Sequence, residues 1–427
     1  MYWLMNEGGV SIREKMVLFW HNHFVTAFIA RNQYVYANIN TIRENALGNF
    51  KTLTELMTID PAMLVYLNGN QNTSRAPNEN YARELMELFT LGKGQDAGPG
   101  DYTTYTEDDV IEVARVLTGW VIIGTTDSPG FESDFRRGRH DQETKQLSHR
   151  FGNAVIENEG DQEYKKVIDI IFQKDEVARY ISRRLHVWFI GSKIDSFVEA
   201  EIIEPMAAMI RDNNYEIQPA LEALLSSEYF YEESIRGCMV NHPIDHLFKI
   251  IRPLKLSYPS DTLIEEYTSF TGVQRLDPFQ NQNMLIFDHA SVAGWKAFHQ
   301  APQFYDVWIN SVSLPLREEL FEEFIRLGNS NNRIGFDFLS TVAEMEDASD
   351  PHTLINNLAS VFFPFPIAEN QLDFLTDFLV EGQPYYVWSL EYGDFLADPT
   401  NGKREAVNAK LTRLVEAMVK MPEFYLI

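Results

Sequence analysis

The sequence predicts an all-α fold that is predominantly helical, with an irregular or short β-hairpin insertion around residues 121–153. Long runs without Gly or Pro recur along the chain, and several begin at capping residues and end at Gly, as helices do. Residues 121–153 differ, because Gly, Pro and Arg interrupt any regular spacing there. Hydrophobic residues make up 45% of the 427 residues, which is enough for a substantial core.

The first predicted helix is apolar on all sides. Ser11 and Glu14 have the spacing of a capping box, and the run 12–30 contains neither Gly nor Pro. No charged side chain occurs between Lys15 and Arg31, so we expect a buried helix. Further helices are predicted at 42–57, at 61–67, from the cap Asn78 to Gly92, from the capping box of Thr106 and Asp109 to 117 with Gly119 as the stop, at 162–172 and at 175–189.

The second half of the chain is also predicted to be helical. The predicted helices span 196–211, 218–226, 243–255, 262–271, 316–327, 335–345, 351–362, 368–379 and 404–420. No stretch has the length or low complexity of a domain linker. We therefore expect one unit over 1–427, with a subdivision into a motif-bearing half, 1–195, and a second helical half, 196–427, as the alternative.

The charge balance disfavours nucleic acid as a partner. The chain has 62 acidic and 36 basic residues, a formal charge of -26, which would repel phosphate backbones and anionic membrane surfaces. No apolar run is long enough for an integral membrane segment, and the N-terminus lacks the basic and apolar regions of a signal peptide.

Several cofactor classes have no signature in the sequence. Cys238 is the only cysteine, which excludes a disulfide framework and any Cys-rich zinc or iron–sulfur site. Haem and nucleotide motifs are absent as well. A divalent metal held by His and carboxylate side chains stays open as the cofactor.

Two histidines lie on the first predicted helix. His21 and His23 are two residues apart, so their side chains point about 200° from each other and cannot chelate one ion. We expect both to be neutral core histidines with hydrogen-bond partners. The functional alternative is that one of them reaches a site with Glu79, Glu84 or Asp141, as a metal ligand or an acid–base partner.

The helix after Asn78 carries a dense set of acids and amides. Glu79, Arg83 and Glu87 are four residues apart and fit a surface salt-bridge ladder, in which each pair contributes only about 0.2–0.5 kcal/mol. A functional role for this helix therefore depends on Asn80 and Glu84, and on whether a histidine of the first helix contacts them.

A third group of candidates follows the predicted insertion. The run 136–141 contains three arginines before Asp141, with Lys145 four residues further on. Arg139 and its neighbours would suit an anion such as sulfate, phosphate or a carboxylated sugar. The alternative is that they pair with nearby acidic helices.

These motifs together resemble a large bacterial family, DUF1800, a domain of unknown function. The resemblance covers essentially the whole chain. It is carried by Phe19-Trp20-His21-Asn22-His23-Phe24, by the run from Pro77 to Gly92, by Thr118-Gly119-Trp120, by His140-Asp141 with Lys145, by Ile181-Ser182-Arg183-Arg184-Leu185, by Ala293-Gly294-Trp295, by Trp308-Ile309-Asn310-Ser311 with Arg317 and by Pro422-Glu423-Phe424. The chain departs from the family pattern at Phe89, where many members have His, and at Ala290 and Ser291, where two prolines are common.

The resemblance implies a periplasmic or extracellular location. Family members usually carry an export signal and further helices ahead of the matching segment, so this chain is expected to be N-terminally shortened. Family genes often accompany those of exported, sulfatase-like proteins, which implies such a protein as a partner. No substrate follows from the resemblance.

Two functions stay open at this stage. The first is hydrolytic or metal-assisted chemistry on an extracellular polymer, and the second is a non-enzymatic surface or assembly protein whose polar motifs form a buried structural network. The candidate catalytic residues are His21, His23, Glu79, Arg83, Glu84, His140 and Asp141. The candidate ligand-binding residues are Trp20, Asn78, Asn80, Trp120, Arg139, Lys145 and Trp295.

Overall fold

The computed structural model describes residues 11–124, 132–256, 282–330 and 335–427, with the backbone only for 326–330. These residues form two compact units. The N-terminal unit holds the described residues of Val10–Tyr231 together with Ile286–Gln300. The C-terminal unit holds those of Glu232–Leu285 and Ala301–Ile427. A division at residue 195 stays a prediction.

The predicted all-α class is confirmed, because helices dominate the described residues of both units. The helices of the N-terminal unit are α1 (Arg13–His23), α2 (Asn32–Asn45), α3 (Phe50–Thr58), α4 (Pro61–Tyr66), α5 (Glu79–Glu84), α6 (Glu107–Val116), α7 (Glu163–Ile171), α8 (Asp175–Phe189), α9 (Ser196–Val198, continued by Glu204–Asp212) and α10 (Gln218–Leu225). The π-helical segment Leu85–Thr90 extends α5, and a second π-helical segment, Glu199–Ile203, interrupts α9.

The predicted hairpin insertion is also confirmed. Strand β3 (Trp120–Ile123) pairs antiparallel with β4 (Glu132–Phe135), and Trp120 stands opposite Phe135. Residues 125–131, between the two strands, lie outside the described residues. Two smaller antiparallel pairs flank this hairpin: β1 (Asp96–Gly98) with β2 (Asp101–Tyr102), and β5 (Lys145–Gln146) with β6 (Val155–Ile156).

The first helix is buried as predicted but ends early. Its residues from Met16 to His23 are all buried, yet α1 stops at His23 instead of residue 30. Beyond it, Phe28 has a φ of 56°, and its N–H donates to the carboxylate of Asp288 at 3.0 Å. Asp288 is 260 residues from Phe28, so the sequence near the helix does not indicate this contact.

Asparagine and threonine caps set other helix boundaries. The predicted helix 42–57 is two helices, because Asn49 caps α3 by accepting the N–H of Thr52 at 3.0 Å. The predicted cap at Asn78 is confirmed, and Gly92 has the expected left-handed φ of 73°. The capping box of Thr106 and Asp109 is confirmed as the start of α6.

The C-terminal unit is built from seven α-helices within the described residues. They are α11 (Pro243–Ile251), α12 (Ser313–Ser330), α13 (Phe338–Ala343), α14 (Pro351–Phe362), α15 (Glu369–Val380), α16 (Tyr386–Ala397) and α17 (Asn401–Val419). The sequence did not indicate α16, which is apolar on both sides. The predicted helix at 262–271 lies outside the described residues. None of the helices described in either unit is both long and apolar enough to cross a bilayer.

A buried arginine organises the C-terminal unit. The side chain of Arg317 is 1% exposed, and it donates to the side-chain oxygen of Asn241 at 2.6 Å and to the Asn241 carbonyl at 2.9 Å. Burial lowers the pKa of Arg317 to about 10. Asn241 in turn donates to the Phe424 carbonyl at 3.0 Å, which ties the chain terminus to α12.

We predict that Thr106→Ala lowers the free energy of unfolding by about 1 kcal/mol, because α6 loses the side chain that caps it. Urea unfolding followed by far-UV circular dichroism measures the loss. The matched control is Thr41→Ala, whose hydroxyl only donates to the Ala37 carbonyl of its own helix. Equal losses in the two variants would contradict the capping account.

Candidate functional site

The two histidines of α1 are buried and hydrogen-bonded to different backbone groups. The Nε2–H of His23 donates to the Phe89 carbonyl at 2.9 Å, and Nε2 of His21 accepts the N–H of Phe287 at 3.0 Å. Burial lowers the pKa of each ring to about 3, with Arg184 adding to the effect at His23. Both rings are therefore neutral at physiological pH.

The environment of His21 contains a histidine that the sequence did not single out. His289 is 1% exposed, and its ring centroid is 4.6 Å from that of His21 and 4.4 Å from that of Trp295. Burial lowers the pKa of His289 well below its usual value. The clue in the sequence is its position shortly before Gly294-Trp295.

The three candidate tryptophans lie inside the protein. Trp20 donates to the Ala46 carbonyl at 2.9 Å, and Trp120 packs between Phe135 and Tyr164. Trp295 is only 3% exposed, so its indole offers no open face on which a sugar ring could stack.

Gly294 fixes the turn ahead of that indole. The Trp295 N–H donates to the side-chain oxygen of Asn22 at 2.7 Å. Gly294 has a φ of 94°, and a Cβ atom there would lie 2.4 Å from the same Asn22 oxygen. The close approach explains why glycine precedes the tryptophan.

The helix after Asn78 is held by its amides. The side-chain oxygen of Asn78 accepts the N–H of Asn80 at 3.0 Å, while its Nδ2 donates to the carbonyls of Leu67 and Asn68, each at 3.0 Å. Asn80 itself is exposed. Asn78 is thus fully used in fixing the start of α5.

The predicted salt-bridge ladder is not the main arrangement on this helix. Arg83 makes a bidentate pair with Glu107 at 2.8 and 2.6 Å, whereas Glu79 is 4.0 Å away. The hydroxyl of Tyr105 donates to Glu87 at 2.6 Å. The ladder interpretation missed Glu107 and Tyr105 because both lie beyond α5 in sequence.

Glu84 differs from its neighbours. It is half-buried at the junction of α5 with the π-helical segment, and the described residues give its carboxylate no hydrogen bond or ion pair. Burial, and then the nearby Glu87 carboxylate, raises the pKa of Glu84 above its ordinary value. Its negative charge also contributes to the raised pKa values of Tyr66 and Tyr180.

The third group of candidates forms a closed buried network. Nε2 of His140 lies 2.9 Å from Glu163 Oε1, and Lys145 Nζ lies 2.7 Å from Glu163 Oε2. All three side chains are 0% exposed. Nδ1 of His140 donates to the Thr118 carbonyl at 2.9 Å, and Lys145 also donates to the Asp141 carbonyl.

Glu163 completes this network and was missed by sequence reasoning. Its Oε1 also accepts the backbone N–H groups of Glu159 at 3.1 Å and Gly160 at 3.3 Å. Burial alone would raise the pKa of Glu163, but the hydrogen bonds and charges of His140 and Lys145 outweigh it and lower the pKa. Glu163 is 23 residues from His140 and is one of many acidic residues, so no local pattern identifies it as the partner of His140.

The remaining members of this region are paired at its edge. Asp141 accepts two hydrogen bonds from Arg115, at 2.8 and 3.2 Å. Arg139 donates to the Asn70 carbonyl at 3.2 Å, and Arg136 pairs with Asp134 at 2.8 Å. Arg136 and Arg139 thus reach different partners.

The predicted candidates therefore fall into separate groups. His140 and Lys145 meet at Glu163, whereas the histidines of α1 bond to backbone groups of Phe287 and Phe89. Within the described ranges, no group of three His, Cys, Asp or Glu side chains is arranged to hold a metal ion.

A polar cleft of about 550 Å³ lies elsewhere in the N-terminal unit, between α3, α7 and the end of α9. Lys51 and Asp169 form an ion pair on its wall, and Arg211 Nε lies 3.4 Å from Asp175. Both signs of charge line the cleft, so it suits a polar ligand rather than an apolar one.

The fold and these motifs define a helical protein with polar side chains sealed between its elements. The family described as "Protein of unknown function (DUF1800)" matches residues 3–426, and the chain belongs to this family. Comparisons with curated proteins and with solved structures give no match.

We predict that Glu163→Gln lowers the free energy of unfolding by about 3 kcal/mol, because Lys145 loses its buried counter-charge. Urea unfolding measures the loss. The lowered pKa of Glu163 means that its stabilising effect is present above about pH 4.5 and is lost as the pH falls through the folded-state pKa. The difference between wild type and variant should therefore narrow in acid.

The matched control for this prediction is Glu157→Gln in the same unit. Glu157 is exposed and accepts one hydrogen bond, from the hydroxyl of Thr144 at 2.9 Å. We expect its loss to stay within about 0.5 kcal/mol. A Glu163→Gln variant as stable as this control would contradict the buried network.

Proposed function

We propose that this chain is a non-enzymatic surface or assembly protein in which the polar motifs hold the helices together. The observation that carries the proposal is the complete burial of His140, Lys145 and Glu163, each 0% exposed, with every charged end hydrogen-bonded to protein. A side chain with no exposed surface cannot contact a substrate in this arrangement of the fold.

The other motif residues support the same proposal. Trp20, Asn78 and Trp295 are all engaged with protein groups, through an indole donor, a helix cap and a tight turn respectively. Buried polar networks of this kind fix one arrangement of a core, since leaving any member unpaired is costly. With the family resemblance, we further propose that the protein works outside the cytoplasm.

A direct test is chemical access to two nearby histidines. His149 has a side chain that is 62% exposed, whereas that of His140 is 0% exposed. Diethyl pyrocarbonate near neutral pH, followed by peptide mass spectrometry, should modify His149 to completion while His140 stays unmodified. Modification of His140 at the rate of His149 would contradict the proposal, because the network would then be open to solvent.

Acid–base hydrolysis is a second candidate, and Glu84 is the observation that favours it. Its carboxyl group is half-buried, lacks a hydrogen bond within the described residues and has a raised pKa beside a second carboxylate, Glu87. A raised pKa of this kind suits a general acid. The pair would act at the π-helical segment, a feature that is frequent at functional sites.

A hydrolysis assay separates the two candidates. We test a panel of nitrophenyl glycosides, esters and sulfates. We predict that the wild type hydrolyses none of them faster than the Glu84→Gln variant does, because the Glu84 carboxyl group has no catalytic role in a non-enzymatic protein. Glu79→Gln, an exposed acid on the same helix, is the control. Turnover by the wild type that falls about 100-fold or more in Glu84→Gln alone would establish the second candidate instead.

A further inference from the structure

Helix α16 of the C-terminal unit is apolar on two opposite sides. Trp388 and Tyr392 are buried on its inner side, at 0% and 4% exposure. On its outer side, Tyr386 and Leu390 lie one turn apart and are 53% and 63% exposed. Exposed apolar side chains that are grouped together, unlike single scattered ones, mark interaction sites. The outer side of α16 therefore has the composition of a surface that another molecule covers.

The neighbouring helix, α15, also carries exposed apolar side chains one turn apart. Phe374 and Phe378 lie one turn apart on α15, are 50% and 41% exposed, and their ring centroids are 4.9 Å apart. Leu375 and Leu379, each turned about 100° further around the helix, are buried. Helices α15 and α16 contact each other, and both contact α17. We call Phe374, Phe378, Tyr386 and Leu390 the apolar surface.

The segment that carries the apolar surface contains acidic residues and no basic ones. Between His352 and Lys403 the sequence contains no Lys or Arg at all. The acids in this stretch are Glu369, Asp373, Asp377, Glu381, Glu391, Asp394 and Asp398.

Three of these acids are paired with basic residues from outside the stretch: Glu381 with Arg413, Glu391 with Lys410 and Asp398 with Lys403. Asp373 and Asp377, which directly precede the two phenylalanines, are exposed and have no ion pair within the described residues.

We propose that the apolar surface docks a basic amphipathic helix of a partner protein, with leucine-like side chains against α15 and α16 and lysine or arginine against Asp373 and Asp377. Charge complementarity selects this occupant. A second copy of the same surface would bring like charges together, and an anionic lipid surface would be repelled for the same reason. The proposal rests on the assembly role proposed above and specifies the chemistry of the partner.

The test uses the full chain and a fluorescein-labelled amphipathic peptide of Leu and Lys, about four helical turns long. Fluorescence anisotropy at physiological salt should show saturable binding. Leu390→Ser and Phe378→Ser should each weaken it about tenfold, because both side chains are exposed and can be changed without opening the core. Asp373→Asn with Asp377→Asn should weaken it and reduce its salt dependence.

Two controls define the result. Val155→Ser, at a side chain that is 48% exposed in the N-terminal unit, should leave binding unchanged. A peptide with Glu in place of Lys should not bind. Circular dichroism checks that each variant is folded.

Several outcomes would overturn the docking proposal: no binding of the Leu/Lys peptide, equal weakening by Val155→Ser, self-association of the chain through Leu390, or tighter binding to phosphatidylcholine vesicles than to the peptide. The failure of the docking proposal is distinguishable from that of the assembly role. If His140 is protected from modification but no peptide binds, only the docking proposal fails. If the protein shows hydrolysis that depends on Glu84, the assembly role fails.

Discussion

The N-terminal unit depends on one buried carboxylate, that of Glu163. It accepts hydrogen bonds from the two basic side chains His140 and Lys145 and from two backbone N–H groups, so its charge is compensated on every side. The arrangement joins the start of α7 to the segment after the β3–β4 hairpin. Taking charged groups out of water costs several kcal/mol per ion, and only a complete set of partners offsets that cost. The network is therefore stable only when every member is present.

Several helix boundaries that the sequence predicts correctly are set by local interactions, although the equally local cap at Asn49 lies inside the predicted helix 42–57. The predicted caps at Asn78 and Thr106 and the predicted left-handed Gly92 are confirmed, because a cap and its helix are adjacent in sequence. The end of α1 could not be predicted in the same way. Beyond that end, Phe28 donates its N–H to Asp288, a residue 260 positions away that no local pattern indicates.

The candidate residues show the same limit. His140 and Lys145 could be named from the sequence as polar residues in irregular structure, but their shared partner Glu163 had no distinguishing signal. Arg83 fitted a helical ladder, yet its nearest carboxylate belongs to Glu107 on another helix. A spacing pattern identifies groups that can pair along one element, whereas burial and the partners on other elements decide what each group does.

The motif around His140 stabilises the fold through Glu163, and a double-mutant cycle measures the coupling between Glu163 and Lys145 directly. The free energies of unfolding of the wild type, Lys145→Met, Glu163→Gln and the double variant give the interaction energy between the two side chains. We expect a coupling of about 2 kcal/mol, because each single variant removes one charged partner of the buried Lys145–Glu163 pair. A coupling near zero, with both single variants as stable as the wild type, would contradict it.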